Sequence, residues 1–272
     1  MRYGLWLRNG ADGQVASAVD RAVLAEESGW DGVFVSDSIM EGWSDPWVTL
    51  AAVAARTDRV VLGTWVTPVP AQQPWRLAHA AATVDNLSAG RVLMGTGLGV
   101  PVEHQLFGLD DELSSLARRY DEALEVMAAL WSGETVDHDG EFFTLREARL
   151  PVLPAQHPRI PILPAGWWPN KAPFRRAARW DGVMPFWPAL MGGREGPAGQ
   201  APSTAAPDTE FREVLAYYRD LTDEPGEIVV PWVRSVEGYA ELAEELGVTW
   251  LLVLRELSDD EVRSGPSGIA TT

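Results

Sequence analysis

Cysteine is absent from the 272 residues. That excludes disulfides, thiolate nucleophiles and zinc–thiolate sites together. Histidine is scarce. His79, His104, His138 and His157 show no metal-ligand spacing and no serine–histidine–acid arrangement, so no metal site is expected. No apolar run reaches the roughly eighteen residues of a membrane-spanning helix. The opening MRYGLWLRNG is too short and too polar for a signal peptide, so a soluble cytoplasmic protein is the expectation. Lysine is reduced to Lys171, and arginine supplies the other basic side chains except histidine. The 22 lysines and arginines face 39 acids, for a net charge of −17. Such a chain repels nucleic acid and anionic membrane, and neither is expected as a partner.

What is present is an ordinary globular composition, 46% hydrophobic, enough for one large α/β domain. The stretch from Asp58 to Gly108 organises it. Val60 to Leu62 reads as a short buried strand, ended by Gly63 and Thr64. Pro68, Pro70 and Pro74 bar a helix before Pro74, which itself suits a first helical turn. Gly90 stops that helix. Arg91 to Met94 starts a second strand, running into a loop of Gly95, Gly97 and Gly99 where backbone can approach a ligand closely.

The rest alternates in the same way. Strands are expected at Leu5–Leu7, Val33–Val35, Ile160–Leu163, Gly182–Met184, Ile228–Val230 and Trp250–Leu254. Asp45 is a good N-cap with Pro46 just inside its helix. The longest helix is Leu113–Trp131, and Asp139-Gly140 marks a small hairpin. Residues 189–208 read as a long mobile loop, and the tail SGPSGIATT as frayed. Eight strands alternating with helices predict a (β/α)8 TIM barrel as one domain over 1–272, with a doubly wound sheet as the alternative.

At this point the motifs are informative. GWDGVFVSDS at 29–38, RVVLGTWVTPVP at 59–70 and AATVDNLSAGRVLMGTGLG at 81–99 resemble the luciferase-like flavin-dependent oxidoreductases. So do Glu103 with Phe107-Gly108, PAQHPRIPIL at 154–163 and AARWDGVMP at 177–185. Their order and spacing make the resemblance strong. It implies the same barrel, with FMN or coenzyme F-420 at its C-terminal mouth. Thr64, Trp65 and Val66, with Gly95, Gly97 and Gly99, would seat the ring, and Trp65–Val66 would be a non-proline cis peptide. Gly166, Trp167 and Lys171 would hold the cofactor phosphate.

Asp37 and Ser38, closing strand two, are the catalytic candidates. Many members of the family carry histidine where this chain has Ser38. Serine cannot replace an imidazole base. Some deazaflavin enzymes also carry a glutamate where Val100 stands. These departures favour a monooxygenase using reduced FMN and oxygen on a small organic substrate, chemistry that belongs to the flavin. The alternatives are F-420-dependent hydride transfer and a non-catalytic flavin-binding subunit. A flavin reductase and a homodimer are the partners the family suggests. Glu103 is expected to tie loop to barrel, and His104 to be exposed. Trp6, Trp43, Trp65, Trp167 and Trp187 fall at strand ends and are expected at the mouth, whereas Trp30, Trp131, Trp180 and Trp250 read as core.

Overall fold

The computed structural model describes residues 1–9, 15–109, 112–188, 207–232 and 238–270. In chain order the elements are β1 (Arg2–Leu7), α1 (Val15–Glu27), β2 (Gly32–Val35), α2 (Pro46–Ala54), β3 (Val61–Thr64), β4 (Thr67–Pro68), α3 (Pro74–Leu87) and β5 (Val92–Gly97). Then come α4 (Pro101–Leu106), α5 (Leu113–Trp131), β6 (Val136–Asp139), β7 (Thr144–Ala148), β8 (Ile162–Trp167) and α6 (Ala172–Ala177). The chain finishes with β9 (Gly182–Phe186), α7 (Pro207–Arg219), β10 (Glu227–Pro231), α8 (Tyr239–Glu245), β11 (Trp250–Val253), α9 (Asp259–Arg263) and α10 (Gly265–Ala270). Two compact units result: Met1–Leu7, Asp20–Phe34 and Ile162–Thr272 form one, and Arg8–Val19 with Val35–Pro161 the other.

In the first unit β1, β11, β10, β9 and β8 pair in parallel, in that order. Side chains of β9, β10 and β11 make a core with α6, α7 and α8. Trp187, Phe211 and Tyr239 stack there at centroid separations of 4.9 and 5.2 Å. Trp187 is therefore core, not a mouth residue as its strand-end position suggested. Trp30, buried in this unit, donates to the Val262 carbonyl of α9, while Trp180, expected in the core, is only partly buried.

The second unit is built on β5. β3 pairs with it in parallel at Leu62–Val92, and β4 pairs further along at Thr67–Thr96. That second pairing carries β5 through Gly97, so Gly95 and Gly97 lie inside a strand rather than in a loop. α3 begins at Pro74 as expected and gives way to left-handed backbone at Ala89 and Gly90. Trp131 of α5 donates to the Ala78 carbonyl of α3.

Arg91 ties α2 to β5. Its guanidinium donates to the carbonyls of Ala54, Thr57, Val60 and Ser88 and to the Thr57 hydroxyl. Two of those carbonyls lie at or just beyond the α2 C-terminus, where helix acceptors lack partners. Arg91→Ala is expected to cost about 2–4 kcal/mol, because several acceptors lose a charged donor together. Arg91→Lys should recover only part of it, lacking the planar fork. Urea unfolding with an unchanged m-value is the check.

Other boundaries shifted for identifiable reasons. The hairpin forms, but its connection spans four residues, with Gly140 N–H donating to the Phe143 carbonyl. The tail is not frayed over its described part: Ser258 and Glu261 form a capping box on α9, and α10 follows. The predicted loop 189–208 lies outside the described residues up to 206, and α7 begins at Pro207. Among the described residues no helix is long and apolar enough to cross a membrane, and no acidic or histidine cluster could hold a metal ion.

Candidate active site

β2 ends at Val35, and the loop that follows it carries the candidate chemistry. A buried amide holds that loop. Asn9 Nδ2 donates to the carbonyls of Ser36 and Ser44 at 3.0 and 2.7 Å, and its Oδ1 accepts from Ser36 N–H at 3.1 Å. Asn9 was not singled out from sequence. A lone asparagine two residues past a strand gives no pattern to read, and its role depends on contacts 27 and 35 residues away.

Glu103 fixes the other side of the loop. Its carboxylate accepts from Ile39 N–H at 2.7 Å, from Met40 N–H at 3.4 Å and from the Ser38 hydroxyl at 3.1 Å. The tying role expected of Glu103 is the one observed. The element carrying it, α4, was missed in the sequence because it is only six residues long. Missing it also misplaced His104. That side chain is buried, with Nε2 2.6 Å from the Leu98 carbonyl oxygen. Glu103→Ala is expected to free the Ile39 amide. Hydrogen exchange there should accelerate by about 10- to 100-fold, equivalent to roughly 1.4–2.7 kcal/mol of local stability.

Between these anchors lies a cleft of about 540 Å³ within the second unit. Asp37, Ser38, Asp45 and Glu103 face it, with Arg76 and His104. Burial pushes the Asp37 carboxyl up to about 7; the Thr67 hydroxyl nearby pulls it down, and the charges of Asp45 and Glu103 push it up again. Thr67 Oγ1 is itself buried. Gln72 Nε2 donates to Asp37 at 3.3 Å.

The ring-seat candidates of this unit come together. Trp65–Val66 is cis, and Trp65 N–H donates to the Val35 carbonyl at 2.8 Å. The buried Thr64 hydroxyl donates to the Gly95 carbonyl at 2.7 Å. Val66 lies against Gly97, where an added Cβ would come within 2.8 Å of Val66 Cγ2. Gly99 has φ +85°, and a Cβ there would meet His104 and Pro68. At both glycines the space a Cβ would take is thus already filled, by Val66 at Gly97 and by His104 and Pro68 at Gly99, and Gly97 is buried.

The remaining candidates belong to the first unit. Gly166 and Trp167 end β8 rather than following it. Trp167 stacks on Phe186 at 5.8 Å, and its Nε1 is buried with no hydrogen-bond partner among the described residues. The Lys171 ammonium sits 4.9 Å from the Tyr217 ring centroid.

Comparison with known proteins gives these features a context. The chain is 35% identical over 154 residues to an F420-dependent glucose-6-phosphate dehydrogenase of Microbacterium testaceum, covering 53% of this chain and 45% of that one. A protein of the same name from Nocardia farcinica is 41% identical over 135 residues, covering 46% and 40%. The chain thus matches less than half the length of these relatives. The crystal structure of the monooxygenase RslO1 from Streptomyces bottropensis superposes with a TM-score of 0.70 at 26% identity, covering 91% of this chain and 75% of that one. The fold is the luciferase-like (β/α)8 barrel. With its residues 1–189 matching the family model, the chain belongs to the luciferase-like monooxygenases.

Proposed function

We propose that this chain is a coenzyme F-420-dependent oxidoreductase acting between a small organic alcohol and the matching carbonyl compound, with Asp37 handling the proton. One observation carries the reading: the Asp37 carboxyl is pushed to about 7 inside a cleft. A group poised there is divided between its two forms near neutral pH, as general acid–base work requires. Ser38 offers no such group. The role left open by the missing imidazole falls to its neighbour.

Residues Thr64 to Val66, with Gly95, Gly97 and Gly99, would hold the ring, with Val66 of the cis peptide packed on Gly97. Bound there, the deazaflavin supplies a two-electron hydride carrier. Gly166, Trp167 and Lys171 remain the proposed phosphate contacts, the unpartnered Trp167 Nε1 being an available donor. The Asp37 carboxylate takes the hydroxyl proton of an alcohol, or returns it to a carbonyl oxygen in the reverse direction. Glu103 holds Ser38 to Met40 in place beside it.

The relatives at 35% and 41% identity bear F-420-dependent names, which supports the deazaflavin over the reduced FMN expected from sequence alone. The FMN monooxygenase is the second reading, favoured by the likeness to RslO1 over 91% of the chain. Only that reading calls for a flavin reductase. A homodimer and a single barrel domain over 1–272 belong to both.

Parallel titrations with F-420, FMN and reduced FMN, followed by tryptophan quenching, test the choice. F-420 is expected to bind at micromolar concentration and at least tenfold more tightly than either flavin, a difference of about 1.4 kcal/mol. Tighter binding of reduced FMN, with substrate-dependent oxygen uptake, would reverse the assignment.

A further inference from the structure

The cleft that holds Asp37 opens onto an apolar shelf. Ile39, Val100 and Phe107 line it, yet they are 67%, 42% and 60% exposed. Next to them in the chain, Met40, Val102 and Leu106 are exposed as well. Single exposed apolar side chains are unremarkable; three lining one cleft, with three more exposed in the same two tied segments, are not. Glu103 is what ties them, binding the amides of Ile39 and Met40 from α4.

Charge narrows the occupant. The acids Asp37, Asp45 and Glu103 line the cleft against one arginine, Arg76, in a chain of net charge −17. A phosphate or carboxylate head is disfavoured in that field, whereas an uncharged hydroxyl or carbonyl is not. We infer that the substrate is an uncharged amphiphile, an alcohol or carbonyl compound whose polar head reaches Asp37 and whose alkyl tail lies on Ile39, Val100 and Phe107. This rests on the oxidoreductase reading above, and it separates the chain from the sugar phosphate that appears in its relatives' names.

The test is calorimetric titration of the cofactor-free protein with 2-alkanones of increasing length and, separately, with glucose 6-phosphate. Affinity for the ketones should rise by up to about fourfold per added methylene as each is taken from water. Phe107→Ser and Ile39→Ser should flatten that rise while thermal unfolding shows them folded. A flat series in the wild type overturns the inference. So does tighter binding of the sugar phosphate than of the long ketones. A wild-type dimer in sedimentation that Phe107→Ser dissociates would also overturn it, by making the shelf a contact between copies. A rising series without F-420 binding would sink the cofactor reading and leave the shelf intact; F-420 binding with a flat series would do the opposite.

Discussion

Asp37→Asn is expected to lower kcat/KM for alcohol oxidation by about 10²–10⁴-fold, the usual worth of a positioned general base. F-420 binding should persist, because the ring seat is made by other residues. In the wild type, kcat/KM for oxidation should rise with pH up to about 7 and level off, since the ionised Asp37 is the active form. The variant should lose that limb. Stability should move the other way. The folded-state carboxyl titrates near 7, above its unfolded value of 3.8, so the folded state holds an extra proton between the two. Its stabilising contribution is complete below about 4 and is lost as pH rises to 7, for a total of about 3 kcal/mol after allowing for partial exposure. Asparagine carries no such penalty, so at pH 8 the variant should unfold at higher urea concentration than the wild type. Loss of activity with gain of stability is a pattern that a merely structural Asp37 does not produce. A variant keeping a tenth of wild-type kcat/KM, or an unchanged pH limb, would end its assignment as the base.

The fold was legible where local chemistry repeats. Asp45 before Pro46 announced α2, and its carboxylate does accept from Val48 N–H at 2.9 Å. The apolar stripe of Leu116, Tyr120, Leu124 and Met127 announced α5 to the residue. Short elements were the ones lost. α4 and α9 span six and five residues, too few for a periodic pattern. Strand ends were lost for a different reason. Glycines look like loop in sequence, yet Gly95 and Gly97 continue β5 because Thr67 and Pro68, some thirty residues earlier, pair alongside.

The site was legible as residue types but not as chemistry. Asp37 could be named from its position at a strand end, with capping and catalysis equally open. Its burial beside Asp45 and Glu103, which supports the proposed proton-handling role, is a property of the assembled unit. Ser38 looked like a missing base. In the structure its hydroxyl donates to the Glu103 carboxylate at 3.1 Å, a contact that its sequence position does not announce. Lys171 was named for the phosphate from the family resemblance of its loop, and no sequence pattern could have paired it with Tyr217, 46 positions on.

Gly226→Ala should be a severely damaging small substitution in the first unit. Asp181 gathers the starts of three strands there. Its carboxylate accepts from Ile162 N–H at 2.8 Å, its N–H donates to the Ile162 carbonyl, and its own carbonyl accepts from Glu227 N–H at 2.9 Å. Gly226 has φ +61° directly against this knot, and a Cβ there would fall on the Asp181 carbonyl oxygen. Left-handed backbone costs an alanine about 1 kcal/mol by itself. The collision must also open the pairing of Glu227 with Gly182 that starts β9 and β10, and the total should exceed about 3 kcal/mol. For a chain of this length that is a fall of roughly 10 °C in Tm. Gly29→Ala is the control, because Gly29 has φ +86° with nothing within 4 Å of an added Cβ. It should show the backbone cost alone, about 1 kcal/mol. Equal losses in the two variants would mean that the knot at Asp181 yields to the extra methyl, and that the strand starts are held elsewhere.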